Sequence, residues 1–205
     1  MELVEISHEL MAIANDALLY CKDPFDTERF KQVRSIAAKL LEMSCEGITK
    51  EQAQEIFEEN DGYQTPKIDT RAAVFNEREQ VLLVKDCDGK WALPGGWCEY
   101  NTTIRENTIK EAREEAGLDV EPVKLVAAMS NRKHNNPKSY FYITRFFMLC
   151  EVKGGQFETN EETSEARYFD VDDLPSDLND HKSSEAQIRL CLDAWRDRSL
   201  PPVID

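Results

Sequence analysis

Residues 1 to about 60 contain a single glycine, Gly47, and a single proline, Pro24, while the chain as a whole has eight of each. A stretch so poor in breakers, with Leu3, Ile6, Leu10, Ile13 and Ala17 at helical spacing, is confined to helices. Lys22-Asp23-Pro24-Phe25-Asp26 interrupts the first of them, and Tyr20 and Phe25 are expected to pack that turn. Asp26 is the expected N-cap of a second helix carrying Phe30, Val33, Ile36, Ala37, Leu40 and Leu41, with Gly47 as its stop. Thr49 and Gln52 form a capping box for a third helix through Ile56 and Phe57.

The turn-rich stretch Asp61-Gly62-Tyr63-Gln64-Thr65-Pro66 ends this region. Residues 1–63 are therefore expected to form a small all-helical domain and residues 64–205 a second, α+β domain. In the latter, Ile68 to Phe75 and Gln80 to Lys85 are apolar, β-branched runs joined by the turn Asn76-Glu77-Arg78-Glu79, which predicts a meander. Thr103 and Glu106 box the start of a helix that ends at Gly117. Val123 to Met129, Tyr140 to Val152 and Ala166 to Val171 read as strands, and Ser184 to Arg196 as a last helix.

Charge narrows the partners. Forty acidic residues against 25 basic ones give a net charge of −15, which repels nucleic acid and anionic membranes. The first 64 residues, with 14 acidic and 6 basic side chains, make a poor DNA-reading head. No run approaches the 18 or so apolar residues of a membrane span, and Met1-Glu2-Leu3-Val4-Glu5 is acidic where a secretory signal is basic. Six cysteines without a CxxC pair fit unpaired thiols, so the expected compartment is the cytoplasm. A small phosphorylated ligand stays compatible with the charge, because clustered carboxylates hold divalent cations that in turn receive phosphates.

Such a cluster exists. Glu111, Glu114 and Glu115 fall at i, i+3 and i+4 on one side of the helix after Gly95-Gly96. Like charges at that spacing repel by about a few tenths of a kcal/mol per pair, and a cation relieves them. Hard carboxylate oxygens suit Mg²⁺ or Mn²⁺, whereas zinc would want His or Cys nearby. Two consecutive glycines before the helix mark a place where backbone bends or approaches a ligand closely.

Leu93-Pro94-Gly95-Gly96-Trp97 and the helix that follows resemble the Nudix hydrolases, whose box reads G-x5-E-x7-R-E-U-x-E-E-x-G-U with U apolar. Gly96, Glu111, Glu114, Glu115, Gly117 and Leu118 fall in register, while Thr102 replaces the first Glu and Lys110 the Arg. Lysine keeps the charge of arginine but loses its planar fork, so it pairs well with one carboxylate oxygen at a time. Residues 10–30, including Leu10-Met11-Ala12-Ile13-Ala14 and Arg29-Phe30, look like the helical domain at the head of Nudix enzymes that cleave nucleoside diphosphates linked to another moiety, X.

The resemblance implies a mixed sheet sandwiched by helices, and water attack on a P–O–P bridge to give a nucleoside monophosphate and phosphorylated X. ADP-ribose and CDP-choline are the substrates it suggests. It implies Glu111 and Glu115 as principal ligands of Mg²⁺ or Mn²⁺, with Glu114 as third metal ligand or water-orienting base. A further carboxylate is expected from the loop Asn160–Glu165, with Glu162 first and Glu165 second. Gly95 and Gly96 are expected to admit the diphosphate, and Arg132 and Lys133, in the one basic loop of an acidic chain, to grip the diphosphate or X. His134 is read as a loop residue, and Trp97, Tyr140 and Phe141 mainly as core aromatics with base stacking as the lesser use. Three short helices bury little surface alone, so a homodimer is expected. The competing class is a nucleotide-sugar-sensing module with a degenerate box, and metal-dependent turnover separates the two.

Overall fold

A computed structural model describes residues 2–45, 48–59, 62–136, 139 and 141–205, so the expectations for Gly47, Asp61 and Tyr140 lie outside the described residues. The chain divides into two compact units, Met1–Pro66 and Lys67–Asp205.

In the first unit, α1 (Leu3–Tyr20), α2 (Pro24–Ser44) and α3 (Lys50–Glu59) pack around Val4, Met11, Ala37, Ala38, Leu41, Ala53 and Phe57. Small side chains let the helices approach closely, and the polar groups caught between them are satisfied. Ser7 Oγ donates to the Ala37 carbonyl at 2.7 Å, and Asn15 Nδ2 to the Phe57 carbonyl at 3.1 Å. The buried face of α1 is Val4, Ser7, His8, Met11, Ala14 and Asn15, not the stripe read from the sequence, of which Leu3 and Ile13 are exposed. The second helix also starts earlier than expected. Asp23, rather than Asp26, caps it, accepting from the amides of Phe25 (2.8 Å) and Asp26 (3.2 Å). Pro24 explains this, since its fixed φ and missing N–H suit the first helical position. Asp26 instead pairs with Arg29 at 2.7 Å. Tyr20 (69% exposed) and Phe25 (68%) do not pack the turn between the helices.

The second unit contains two sheets. One has the order β1 (Lys67–Val74), β5 (Ile143–Gly155), β4 (Leu118–Ser130), β7 (Val203–Ile204), with β1 parallel to β5 and β4 antiparallel to it. The other places β2 (Val81–Asp86) between β3 (Trp91–Ala92) and β6 (Thr163–Phe169), all antiparallel. The expected meander does not form. β1 and β2 share one bridge, Phe75–Val81, and then enter different sheets. Alternation along β1 sends Ala72 and Val74 into a cluster with Ala112 and Ala116 of α4 (Ile104–Ala116). Ala73 and Phe75 go to the opposite cluster, with Ile188 and Cys191 of α6 (Glu185–Arg196). The sheets therefore lie between two helices, as the family resemblance implies. The first part of the basic loop after β4 is a short helix, α5 (Asn131–His134).

Candidate active site

Local sequence fixes α4 at both ends. Thr103 Oγ1 accepts from the Glu106 amide (3.2 Å), while the Glu106 carboxylate accepts from the Thr103 amide (2.9 Å). Gly117 closes the other end in the left-handed conformation, φ 65°. Asn107 Nδ2 donates to Thr70 Oγ1 at 2.8 Å, holding the helix against β1. One side of α4 then presents Lys110, Glu111, Glu114 and Glu115 to a pocket of about 360 Å³, whose wall also contains Glu162.

The glycine pair serves this pocket from within the protein. A Cβ on Gly96 would lie 2.7 Å from Glu111 Oε2, so the missing side chain is the space the carboxylate occupies. Gly95, at φ 147°, passes so close to β1 that a Cβ would sit 1.9 Å from the Thr70 carbonyl oxygen. Its amide donates to Glu115 Oε2 at 2.7 Å.

Four charged groups that the sequence reading did not single out complete the wall: Asp69 and Arg71 of β1, Glu99, and Lys182 before α6. The Arg71 guanidinium forks onto Asp69 (Nε–Oδ1 2.9 Å, Nη2–Oδ2 2.6 Å) and also donates to the Leu93 carbonyl. Arg145 reaches the same Asp69 oxygen at 2.9 Å. Lys182 is tethered to Asp86 at 2.9 Å. Charges at alternate positions of a strand that ends in an apolar run, Asp69 and Arg71, were the available signal, since buried charge is retained only for a reason. Nothing marked Lys182.

Electrostatics follow from this placement. Burial pushes the Glu115 carboxyl up to about 7, although Arg71 and the Gly95 amide favour its ionised form. Glu111, 8% exposed, is also raised, by burial first, with Lys110 opposing. Lys110 Nζ sits among three carboxylates, 2.7 Å from Glu114, 3.2 Å from Glu99 and 3.4 Å from Glu111, and the Glu114 bond is the main cause of its raised pKa. Glu99 thus returns a carboxylate to the neighbourhood that Thr102 does not supply; Thr102 itself donates to the Glu99 carbonyl.

The all-oxygen donor set suits a hard divalent cation. Among the described residues, however, no three acidic, histidine or cysteine side chains converge to hold a metal ion. The reason is visible in the pairings. Lys110 draws Glu114 aside, and Gly95 holds Glu115. The Lys110 ammonium thus already neutralises part of the cluster.

Glu162 reaches the pocket because Asn160 fastens its loop, donating from Nδ2 to the Glu114 carbonyl (2.8 Å) and accepting the amides of Glu162 and Thr163. Glu165 is engaged elsewhere, with Arg167 and Lys85. Arg132 is buried. It donates to the Ser139 carbonyl and stacks on Tyr142 at 3.9 Å, and neither it nor the exposed Lys133 lines the carboxylate pocket. His134 pairs with Asp205 at 2.8 Å. Trp97, 45% exposed, is not a core residue.

Residues 65–190 match the NUDIX domain family, and residues 1–57 match the family described as the UDP-X-like, N-terminal oligomerisation domain. The chain is 33% identical to YjhB of Bacillus subtilis (strain 168), over 98% of this chain and 96% of that protein. A crystal structure of a UDP-X diphosphatase, 29% identical, superposes with a TM-score of 0.64 over 99% of this chain and 98% of the other. An ADP-ribose pyrophosphatase from Streptococcus suis 89-1591, 44% identical, gives a TM-score of 0.64 over 69% of this chain and 100% of its own. Nudix hydrolases generally use divalent metal ions. Sequence box, fold and carboxylate pocket thus agree with these likenesses, and the chain belongs to the Nudix hydrolase family, as a pyrophosphohydrolase with the N-terminal helical domain of its UDP-X-like members.

Proposed function

We propose that the protein hydrolyses the pyrophosphate bridge of a nucleoside diphosphate linked to X, releasing a nucleoside monophosphate and phosphorylated X. ADP-ribose and CDP-choline are the leading candidates, and the likeness to a UDP-X diphosphatase adds uridine conjugates to the set worth testing. The observation that carries this reading is the meeting of Glu111, Glu114, Glu115 and Glu162 with Lys110 and Lys182 in one pocket. Acid residues alone would repel a diphosphate, and basic residues alone would bind it without activating water.

In this reading Glu111 and Glu115 hold Mg²⁺ or Mn²⁺, which supplies neutralisation of the phosphoryl oxygens and a more acidic bound water. Glu114 is either a third ligand or, with Glu162, the base that takes the water proton as the new P–O bond forms and the bridging P–O bond breaks. Lys182 meets the phosphates, a task the sequence suggested for Arg132 and Lys133; Arg132 is occupied with Ser139 and Tyr142. Gly96 makes room for the Glu111 carboxylate and Gly95 for the close approach to β1, and both line the pocket that receives the diphosphate. Arg71, buried behind Glu115, keeps that carboxylate compatible with ionisation.

The working form is a homodimer joined through the helical unit, supported by the exposed apolar residues of α1 and α2 and by the likeness to an oligomerisation domain. A cytoplasmic location is supported by six free cysteines and by the lack, among the described residues, of a helix long and apolar enough to cross a membrane. Incubation with Mg²⁺ or Mn²⁺ and ADP-ribose, CDP-choline and UDP-sugars, with product identification, tests the activity. Two monophosphates are expected from at least one conjugate, and no conversion of any of them would overturn the reading.

A further inference from the structure

A second cavity, of about 410 Å³, lies beside the carboxylate pocket, bounded by Lys67 and Ile68 of β1, by Trp97 and Cys98 beyond the glycine pair, and by Phe141. Trp97 lines both cavities, so they lie next to each other on either side of its side chain. The backbone here is fixed. Trp97 bridges Asp69, and the Cys98 amide donates to the Ile68 carbonyl at 2.9 Å. Trp97 and Phe141 meet edge to face, with ring centroids 5.7 Å apart and planes at 85°. The Lys67 ammonium stands 5.9 Å from the Trp97 ring and 5.3 Å from the Phe141 ring. Among the described residues those ring contacts are its only recorded interactions, and its three donors have no acceptor.

Two perpendicular aromatic walls with an unspent donor between them suit a flat, uncharged ring that carries acceptor atoms at its edge. A carboxylate or a second phosphate would gain from Lys67 but lose its hydration against the two rings. A nucleobase gains from both, through stacking and through a ring nitrogen or carbonyl oxygen facing the ammonium. The volume lies within the range of small-molecule sites.

We propose that this cavity is the nucleobase subsite. The base lies against Trp97 and Phe141 with Lys67 donating to its edge, and the diphosphate continues past Trp97 to Glu111 and Glu115. This deepens the function proposed above and rests on it for the identity of the whole substrate, while the subsite itself is testable without turnover.

The test uses Phe141→Leu and Lys67→Met in the full-length protein, because neither residue lines the carboxylate pocket. Binding of AMP, CMP and UMP, with ribose 5-phosphate as the baseless control, is followed by tryptophan fluorescence without metal, and Trp97→Phe identifies the reporting ring. The parent is expected to bind at least one nucleoside monophosphate and to bind ribose 5-phosphate far more weakly. Each variant is expected to weaken nucleotide binding about tenfold, in keeping with one lost stacking or donor contact. The KM for a hydrolysed conjugate should rise by a like factor while kcat and Mn²⁺ affinity hold. Equal nucleotide binding by parent and both variants would overturn the subsite, as would equal binding of ribose 5-phosphate. Should Phe141→Leu fail to fold, exposed Lys67 still decides. If nucleotides bind as described but no conjugate is cleaved, the functional reading fails and the subsite stands.

Discussion

The helical unit and the catalytic unit differ in the size of their cores and in what else they bury. In the first, the core is small, Val4, Met11, Leu41 and Phe57 with Ala37, Ala38 and Ala53 between them, while Leu3, Ile13, Leu19, Tyr20, Phe25, Ile36 and Met43 remain exposed. In the second, Phe75, Leu83, Trp91, Leu93, Phe147, Leu149 and Ile188 fill a core of its own, and the unusual buried groups are charged: Asp69, Arg71, Arg145 and Glu111. The smaller unit leaves many of its large apolar side chains exposed for its size, and the larger one has taken charge out of water. The difference separates the two tasks physically, because apolar surface seeks another protein, whereas desolvated charge interacts strongly with small ions.

The largest expected effect falls on the charged side of this contrast. Glu111→Gln and Glu115→Gln are each expected to lower kcat at least about a hundredfold, with oligomeric state and melting temperature little changed. Near-parental turnover at saturating Mg²⁺ would remove these residues from the metal site. Next in size is Gly96→Ala, whose new methyl would meet the Glu111 carboxylate at 2.7 Å. Displacing that group is expected to cost about tenfold or more in kcat/KM, against little for an alanine at an open glycine such as Gly154, where the nearest atom is 3.9 Å away. Similar kinetics for both variants would dissolve the distinction.

On the apolar side, Ile13→Glu with Ile36→Glu places charge on residues 58% and 57% exposed. Light scattering is expected to show the proposed dimer dissociating at concentrations where the parent is intact, with helix content held by circular dichroism. An unchanged molar mass at all concentrations would show that this face is not the interface. A smaller effect sharpens the account of Lys110. If it only oriented the glutamates, Lys110→Ala would weaken metal binding. Because its ammonium lies within 3.4 Å of Glu99, Glu111 and Glu114, its loss leaves their repulsion to be relieved by a cation. Mg²⁺ is therefore expected to raise the melting temperature of Lys110→Ala by a few degrees more than that of the parent, in calorimetry. A smaller rise than in the parent would restore the orienting role.

What was legible in the sequence was local. Thr103 with Glu106, Thr49 with Gln52, and Gly117 each act within one turn of helix, and all three are found where spacing put them. Asp26 failed as a cap because a proline two residues earlier outweighs a good capping side chain. The α1 stripe misled because helical periodicity marks an apolar face without saying whether this chain or another one covers it. Sheet order was hidden for another reason: β1 pairs with β5, not with its neighbour in sequence. The same non-local pairing hid what stands behind the site, since Arg145 reaches Asp69 only across the β1–β5 pair. The glutamates were visible because one helix turn sets their spacing.

That parallel pairing has a consequence for how the chain is made. Asp69 and Arg145 meet across 76 residues, so during synthesis at about 5–20 residues per second the first strand emerges roughly 4 to 15 seconds before its partner. For that interval Ala72-Ala73-Val74-Phe75 is an unpaired apolar edge, the kind of segment on which nascent chains aggregate. Asp69 and Arg71 stand immediately ahead of it in the sequence. Charges in that position are the kind that keep such a segment soluble, so replacing the pair that backs the carboxylate pocket with a neutral one is expected to lower the yield of soluble protein.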